Sequence, residues 1–431
     1  MSVVSFREYE PIRVLHDLPD PDEPALSVRE LEILDQVGAR LGLRLVEHLS
    51  RNLVRPRQFV GTIQMPTRSV EFLPKIETGA DDLPVVRHNL LEMLLVAYDL
   101  GGASPGAAGL SHRSVGWLDL LILLFCRALA DQVRRGLVRR YRTEEDDLAS
   151  VRGRLLIDAQ LTQNLIHRER VACEFDELDE NNSLNQVFKR TVWLMLRVAS
   201  NVGTQQAVRE LVPAFEGVAD VPLSKPLIDG IKLDRLSERF GFCLSLAKLF
   251  LQGLTTDLYS GAQQSFALMF DMGELFERYV GKLTQKAVRP LGYEALLQNS
   301  KHYLARDEQT QQRLFQMRPD IVVTFEGEPT CIVDTKWKRL QPGQRKLGVD
   351  QADLYQMLAY SERYQCQSIL LLYPWTYATG EFLGVHKRMR FEGKTTKVTV
   401  GEIALDDLRT VPSQIRRLVE DCMTDVGLTG E

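Results

Sequence analysis

With 431 residues and a mass of 49.0 kDa, the chain is too long for one ordinary hydrophobic core, and a prior of one domain per ~150 residues gives two or three. Its 44% hydrophobic and 26% charged residues are those of a soluble globular protein and exclude a disordered or fibrous chain. The formal net charge of -5 excludes a global basic field, so any contact with nucleic acid has to come from local patches, a metal site or a partner.

The N-terminal stretch MSVVSFREYEPIRVLHDLPDPDEP carries acidic residues early and lacks the charged-then-apolar order of a signal peptide. Six cysteines (126, 173, 243, 331, 366, 422) lie far apart, without a CxxC pair or a Cys/His cluster at zinc spacing, so reduced thiols in a cytoplasmic protein are expected. Residues 28–49 have helical spacing, and FVGTIQMPTRSVEFLPKI alternates around a PTRS turn as a β-hairpin does. The small-residue stretch Gly101 to Ser111 is the best early linker. These features predict a mixed α+β region over 1–114.

From 115 to 260 the pattern is mainly helical. The apolar run WLDLLILLFC, Trp117 to Cys126, is about half a bilayer span and contains Asp119, so it reads as a buried helix and no membrane contact is expected. NNSLNQVFKRTVWLMLRVASNV and GFCLSLAKLFLQGL follow as further helices. Arg152-Gly153-Arg154 could touch phosphate, but a surface turn or a contact with another domain is the preferred reading.

Residues 261–431 change character. DMGELFERYVGKLTQKAV, 271–288, is an amphipathic helix with Met272, Leu275, Phe276, Tyr279, Val280 and Leu283 on one face. Strands are predicted near 293–299, 317–325 and 330–337, then a helix near 350–364 and the buried strand SILLLYP at 368–374. This order is that of a compact α/β domain with a mixed sheet, so the whole chain reads as a multidomain α/β protein.

The segment MRPDIVVTFEGEPTCIVDTKWKRL, Met317 to Leu340, puts carboxylates where two apolar strands end. Asp320 and Asp334 could share a hard divalent cation such as Mg²⁺, which takes oxygen ligands and keeps several waters. Lys336, two residues beyond Asp334, points to the same face, where it could orient a water or stabilise charge on a phosphate. A two-residue turn at Gly327-Glu328 would set Asp320 opposite Thr335, on the wrong face. A three-residue loop, Glu326 to Glu328, sets it opposite Asp334, so an odd-length loop or a bulge near Pro319 is expected.

A third acid comes from the preceding helix. Asp271 and Glu274 have the spacing of an N-cap and capping box, which leaves Glu277 as the better metal-site candidate. Downstream, a Gln-x-x-x-Tyr spacing occurs twice, as Gln351/Tyr355 and as Gln356/Tyr360.

Helix glutamate, Pro-Asp, Asp-x-Lys and Gln-x-x-x-Tyr together resemble the PD-(D/E)xK nucleases. LFERYV, RPDIVV, VDTKWK and DLYQMLAY, with VEFLPKI, VRGRLLID and CEFDELDENNSLNQVFKR upstream, resemble the McrC family, the nuclease subunits of McrBC modification-dependent restriction systems. The resemblance covers most of the chain. It implies Mg²⁺ binding by Asp320 and Asp334 with Glu277 as the helix acid, and Lys336 as the catalytic lysine. It favours Gln356 and Tyr360 over the other pair as supporting or DNA-contacting residues. It also implies a partner, an McrB-like AAA+ GTPase oligomer that reads modified cytosine and is stimulated by the N-terminal region of this chain. The chain has no GxxxxGK[ST] motif, so GTP would be used by the partner alone. The nearby Lys338, Arg339, Arg345 and Lys346 could grip the DNA backbone. Two other functions compete: a stand-alone nuclease in repair or defence, and a non-catalytic adaptor that only activates the partner.

Overall fold

In the computed structural model, residues 2–20, 23–76, 82–100, 115–164, 166–167, 169–252, 266–376 and 384–424 are described. The expected linker at 101–111 and the expected boundary at 260/261 lie outside the described residues. Two compact units divide the chain: Leu118–Phe266 forms one, and Ser2–Trp117 joins Ala267–Glu431 in the other.

The larger unit begins with β1 (Val3–Arg7), β2 (Ile12–Leu15), β3 (Ala25–Ser27), α1 (Val28–Leu41), β4 (Val46–Ser50), β5 (Leu53–Pro56), β6 (Phe59–Gln64), β7 (Ser69–Leu73) and α2 (Leu83–Ala97). The expected hairpin at 59–76 is present as antiparallel β6 and β7. The expected helix over 28–49 is corrected: it stops at Leu41, and 46–50 is a strand. Ser27 and Glu30 form a reciprocal capping box at its start, and Gly42, at φ +68°, closes it in the left-handed conformation that side chains resist. Leu43, Leu45 and Val46 prolong the apolar spacing past that stop, which is why periodicity alone overran it.

The smaller unit holds α3 (Trp117–Val133) from Leu118 onward, β8 (Arg140–Leu148), β9 (Arg154–Leu155), α4 (Ile157–Gln163), β10 (Val171–Asp179), α5 (Ser183–Val198), α6 (Val202–Arg209), α7 (Lys225–Asp229) and α8 (Gly241–Gln252). Its helices pack through rings such as Phe125 with Phe250 and Phe188 with Phe240. The mainly helical expectation omitted a three-stranded sheet, β8-β10-β9, in which β8 and β10 pair antiparallel over nine residues. RYRTEEDDL is exposed on both faces for most of its length, so it lacks the apolar alternation that betrays a half-buried strand. Arg152 and Arg154 lie 3.8 and 3.7 Å from Glu177 and Glu174 of β10, in keeping with a surface turn.

The larger unit resumes with β11 (Ala267–Asp271), α9 (Met272–Val288), β12 (Glu294–Leu297), β13 (Tyr303–Arg306), β14 (Arg313–Gln316), β15 (Ile321–Phe325), β16 (Glu328–Thr335), α10 (Gln351–Tyr364), β17 (Ser368–Pro374), β18 (Val385–Arg390), β19 (Lys397–Ile403) and α11 (Val411–Thr424). β11 pairs with β6, completing a sheet in the order β1-β7-β6-β11. A second sheet, β3-β2-β5-β4, shares its core through residues such as Val14, Leu34, Phe59 and Phe72. The third is a mixed six-stranded sheet, β12-β15-β16-β17-β19-β18, with parallel pairs only at β16-β17 and β17-β19. Val322, Ile332, Ile369 and Val398 on one face of this sheet pack with Met357, Tyr360 and Tyr364 of α10.

Candidate active site

The register between β15 and β16 decides whether the carboxylates meet. The loop is a two-residue turn, Glu326-Gly327, with both residues at positive φ and Phe325 paired with Glu328. The expected odd-length loop is therefore absent, and the expected bulge is at Thr330 rather than near Pro319. Thr324 pairs with Pro329 but Val323 with Cys331, so Thr330 is the extra residue, its hydroxyl donating to Val323 O at 3.0 Å. Beyond it Ile321 pairs with Val333, and continuing by one residue sets Asp320 against Asp334. The face demanded by the chemistry is reached by a different device.

Asp320 and Asp334 share the α10 face with Val322 and Ile332, since alternate residues of a strand point the same way. Asp320 Oδ2 accepts from Thr335 N at 2.7 Å and from its hydroxyl at 2.8 Å. Lys336 Nζ lies 2.7 Å from Asp334 Oδ2. Glu277, one turn into α9, accepts from Gln298 Nε2 at 2.9 Å, and Gln298 N donates to Asp320 O at 2.8 Å. Asp271 caps that helix through Gly273 N and Glu274 N. The capping box is not reciprocated, because Glu274 pairs with Arg278.

The electrostatics follow from crowding acids in a place that water reaches poorly. Burial first, then the charge of Asp334, pushes Asp320 up to about 6. Asp334 is also raised, by burial against the opposing pull of Lys336 and with Asp353 and Glu277 adding to it. Glu277 is raised by burial and by Asp320. Burial acts to lower the Lys336 ammonium, but Asp334, Asp353 and Asp320 outweigh it and leave its pKa raised. Lys336 therefore remains a cation and a hydrogen-bond donor at neutral pH.

The two Gln-x-x-x-Tyr pairs separate clearly. Gln356 Nε2 donates to Tyr360 OH at 3.0 Å, with Tyr360 buried and its pKa raised by burial and by Asp334. Gln351 and Tyr355 also bond to each other, but Tyr355 is 64% exposed.

Lys338, a candidate for gripping the DNA backbone, ion-pairs with Asp350 and lies 3.6 Å from Asp353. Arg339 bears on Glu8: burial raises the pKa of that carboxyl, and the charge of Arg339 partly offsets the rise.

Two neighbours of these residues went unnoticed in the sequence. Asp353 Oδ1 is 3.3 Å from Lys336 Nζ, and its signal was available in DLYQMLAY, one helical turn before Gln356. Glu8, from the end of β1, accepts from Trp337 Nε1 at 2.9 Å and from Lys75 N at 2.9 Å. Nothing in local sequence connects residues 8 and 337.

Asp320 and Asp334 offer the hard oxygen donors that a divalent cation takes, with Glu277 as a third acid. Among the described residues, no group of three acidic, histidine or cysteine side chains is close enough to hold a metal ion as it stands. All six cysteines are free and buried, and among the described residues no helix is long and apolar enough to cross a membrane.

A family model described as McrBC 5-methylcytosine restriction system component matches residues 54–374, more than half of the chain. The chain belongs to this McrBC family. Among solved structures, it is similar to a chain of the half-complex refined from a tetradecameric assembly of Thermococcus gammatolerans McrB AAA+ hexamers with bound McrC. The identity is 20%, the TM-score 0.77, and the match covers 97% of this chain and 100% of that one. A second match is to the cryo-EM structure of the Thermococcus gammatolerans McrBC complex, with 21% identity, a TM-score of 0.54, and coverage of 67% of this chain and 88% of that one. At such identities the likeness is one of fold. A search of curated protein sequences found no match. Within the McrBC family, the 54–374 match takes in the start of β15, the end of β16 and the motif on α10.

Proposed function

We propose that this McrBC component is the Mg²⁺-dependent DNA endonuclease subunit of its system, with a PD-(D/E)xK-type site in residues 261–431, working in the cytoplasm. The observation that carries the reading is the Thr330 bulge, which brings Asp320 onto the face of Asp334 and Lys336. Asp320, Asp334 and Glu277 would hold the cation, which when bound supplies charge neutralisation at the phosphate under attack. The raised pKa values of the acids support this, because neighbouring carboxylates that resist ionising together gain from a cation between them. Lys336, protonated, donates to the attacking water or to the phosphate oxygens rather than accepting a proton. Asp353 holds the Lys336 ammonium from the α10 side, and Gln356 with Tyr360 supports that wall of the site.

The partner is an McrB-like AAA+ GTPase oligomer, a reading supported by the McrB hexamers named in the assembly with the similar fold. GTP and recognition of the modified cytosine belong to that partner. Residues 1–114 would serve docking, with 115–260 as a separate middle domain.

One observation favours the adaptor alternative: the three acids do not converge closely enough to hold an ion as they stand. Asp334→Asn and Lys336→Ala, assayed with the partner, GTP, Mg²⁺ and methylated DNA, decide between the readings. The expected outcome is loss of cleavage with stimulation of the partner's GTPase retained. Normal cleavage by Asp334→Asn overturns the site, and a wild-type chain that stimulates GTPase but never cuts favours the adaptor.

A further inference from the structure

The hairpin β13-β14 is unused by the core and by the carboxylate site. Its residues are exposed along nearly their whole length, and its two strands form a sheet of their own. With the residues around it, the hairpin lines an open groove of about 420 Å³ that includes Lys301, Arg306, Arg313 and Arg363. Among the described residues, no carboxylate forms an ion pair with any of these four cations. Two of the nearby acids are engaged elsewhere: Asp307 accepts from Thr310 N and Gln309 N at 2.6 and 2.9 Å, and Glu362 pairs with Lys394 at 3.0 Å. The Arg313 guanidinium instead stands 5.7 Å from the centre of the Tyr303 ring. His302 registers the uncompensated field, its pKa lowered by burial and then by Arg363 and Lys301.

The groove is tied to the carboxylates. Met317 N donates to His302 O at 2.9 Å, and four residues carry the chain from Gln316 to Asp320, at most about 14 Å. The His302 ring packs 4.4 Å from Tyr364, and Tyr364 lies 6.3 Å from Tyr360 in the site wall. Duplex DNA carries one charge per ~1.7 Å of its axis, so such a reach spans several phosphates.

We propose that this groove binds the phosphodiester backbone of duplex DNA, holding phosphates that flank the one cut at Asp320 and Asp334. The proposal rests on the nuclease reading of the neighbouring site. An acidic protein surface would also suit these cations, but continuity with a site for a phosphodiester favours DNA.

The test titrates the full-length chain with a short fluorescent DNA duplex in EDTA, so that nothing is cut, over roughly 50 to 200 mM salt. Arg306→Gln/Arg313→Gln is expected to bind roughly tenfold more weakly at the low end, with the salt slope reduced by about 2, one for each lost phosphate contact. Lys301→Gln/Arg363→Gln, outside the hairpin strands, should behave alike, and Arg416→Gln, a surface cation paired with Glu420 on α11, should keep the wild-type slope. An unchanged slope in both double variants overturns the proposal, as does a wild-type chain that binds no duplex. Loss of co-assembly with the AAA+ partner while DNA binding stays intact also overturns it, in favour of a protein contact. Because the readout involves no cleavage, its failure leaves the nuclease reading to be decided separately by Asp334→Asn.

Discussion

The carboxylates at the ends of β15 and β16 and the cations of β13 and β14 are near neighbours in sequence, yet they meet different dielectric surroundings. Asp334 is 2% exposed and Asp320 only part-exposed, whereas Arg306 and Arg313 stand in solvent. Two unit charges 4 Å apart interact by about 1 kcal/mol in water and by about 4 kcal/mol at the effective dielectric near a protein. The acids therefore perturb one another strongly and are hardly screened by salt. The cations act additively, at longer range, and fade as salt rises. One region is suited to chemistry and the other to a grip.

Exchanging the residues at 334 and 335 (Asp334→Thr/Thr335→Asp) should produce the largest effect, because it moves the carboxylate by one residue along β16 and so to the other face of the sheet. Asp320 would then oppose an uncharged side chain, with the second carboxylate on the wrong face. Cleavage should fall by about 10³-fold or more while the salt slope of DNA binding stays as in wild type. Circular dichroism and melting confirm that the sheet persists. A variant that cuts normally would show that the facing of Asp320 and Asp334 is immaterial.

Glu8 extends the contrast to a buried acid outside the site. It is 1% exposed, and burial raises it from 4.5 to about 7 against the opposing pull of Lys75 N, Trp337 and Arg339. Between those two values the native state holds more protons than the unfolded chain. This group's contribution to stability is thus most favourable below about 4.5, falls as pH rises and levels off above 7, by roughly 3 kcal/mol in all. Glu8→Gln, which keeps an acceptor for Trp337 Nε1, should flatten that dependence and be the more stable protein at about pH 8. Denaturant midpoints across the window measure it, and parallel curves for both proteins would remove charge burial as the cause.

Glu277→Gln comes next. It keeps the shape and the Gln298 contact but removes the charge, and cleavage should drop about 10- to 100-fold. An unchanged rate would return Glu277 to an ordinary helix glutamate.

How much of this was legible in the sequence varies with the range of the interaction. Elements with local signals were readable: the helix capped by Asp271, the alternating hairpin at 59–76, the apolar strand 368–374. The pair Asp320 and Asp334 was legible as a demand on register, but the device that meets it was not, because a threonine in a strand carries no mark of being the unpaired residue. The β8-β10 ribbon and the β13-β14 hairpin were missed for one reason: strands exposed on both faces have no apolar alternation to show. Contacts such as Glu8 with Trp337, or the grouping of Arg363 with Arg306, depend on tertiary placement and leave no local trace.

Lys338 supplies the smallest effect and the sharpest contrast with the hairpin. The sequence offers it as a backbone grip, equal to any other lysine beside the site. In the fold its ammonium is compensated by Asp350 and Asp353, so removing it takes away little positive field. An exposed pair of this kind contributes at most about 1 kcal/mol. Lys338→Gln should accordingly change the salt slope of DNA binding by well under one contact, against about 2 for Arg306→Gln/Arg313→Gln. If instead Lys338→Gln flattens the slope as much as the hairpin variant does, DNA must displace Asp350, and the grip would extend to both sides of the carboxylates.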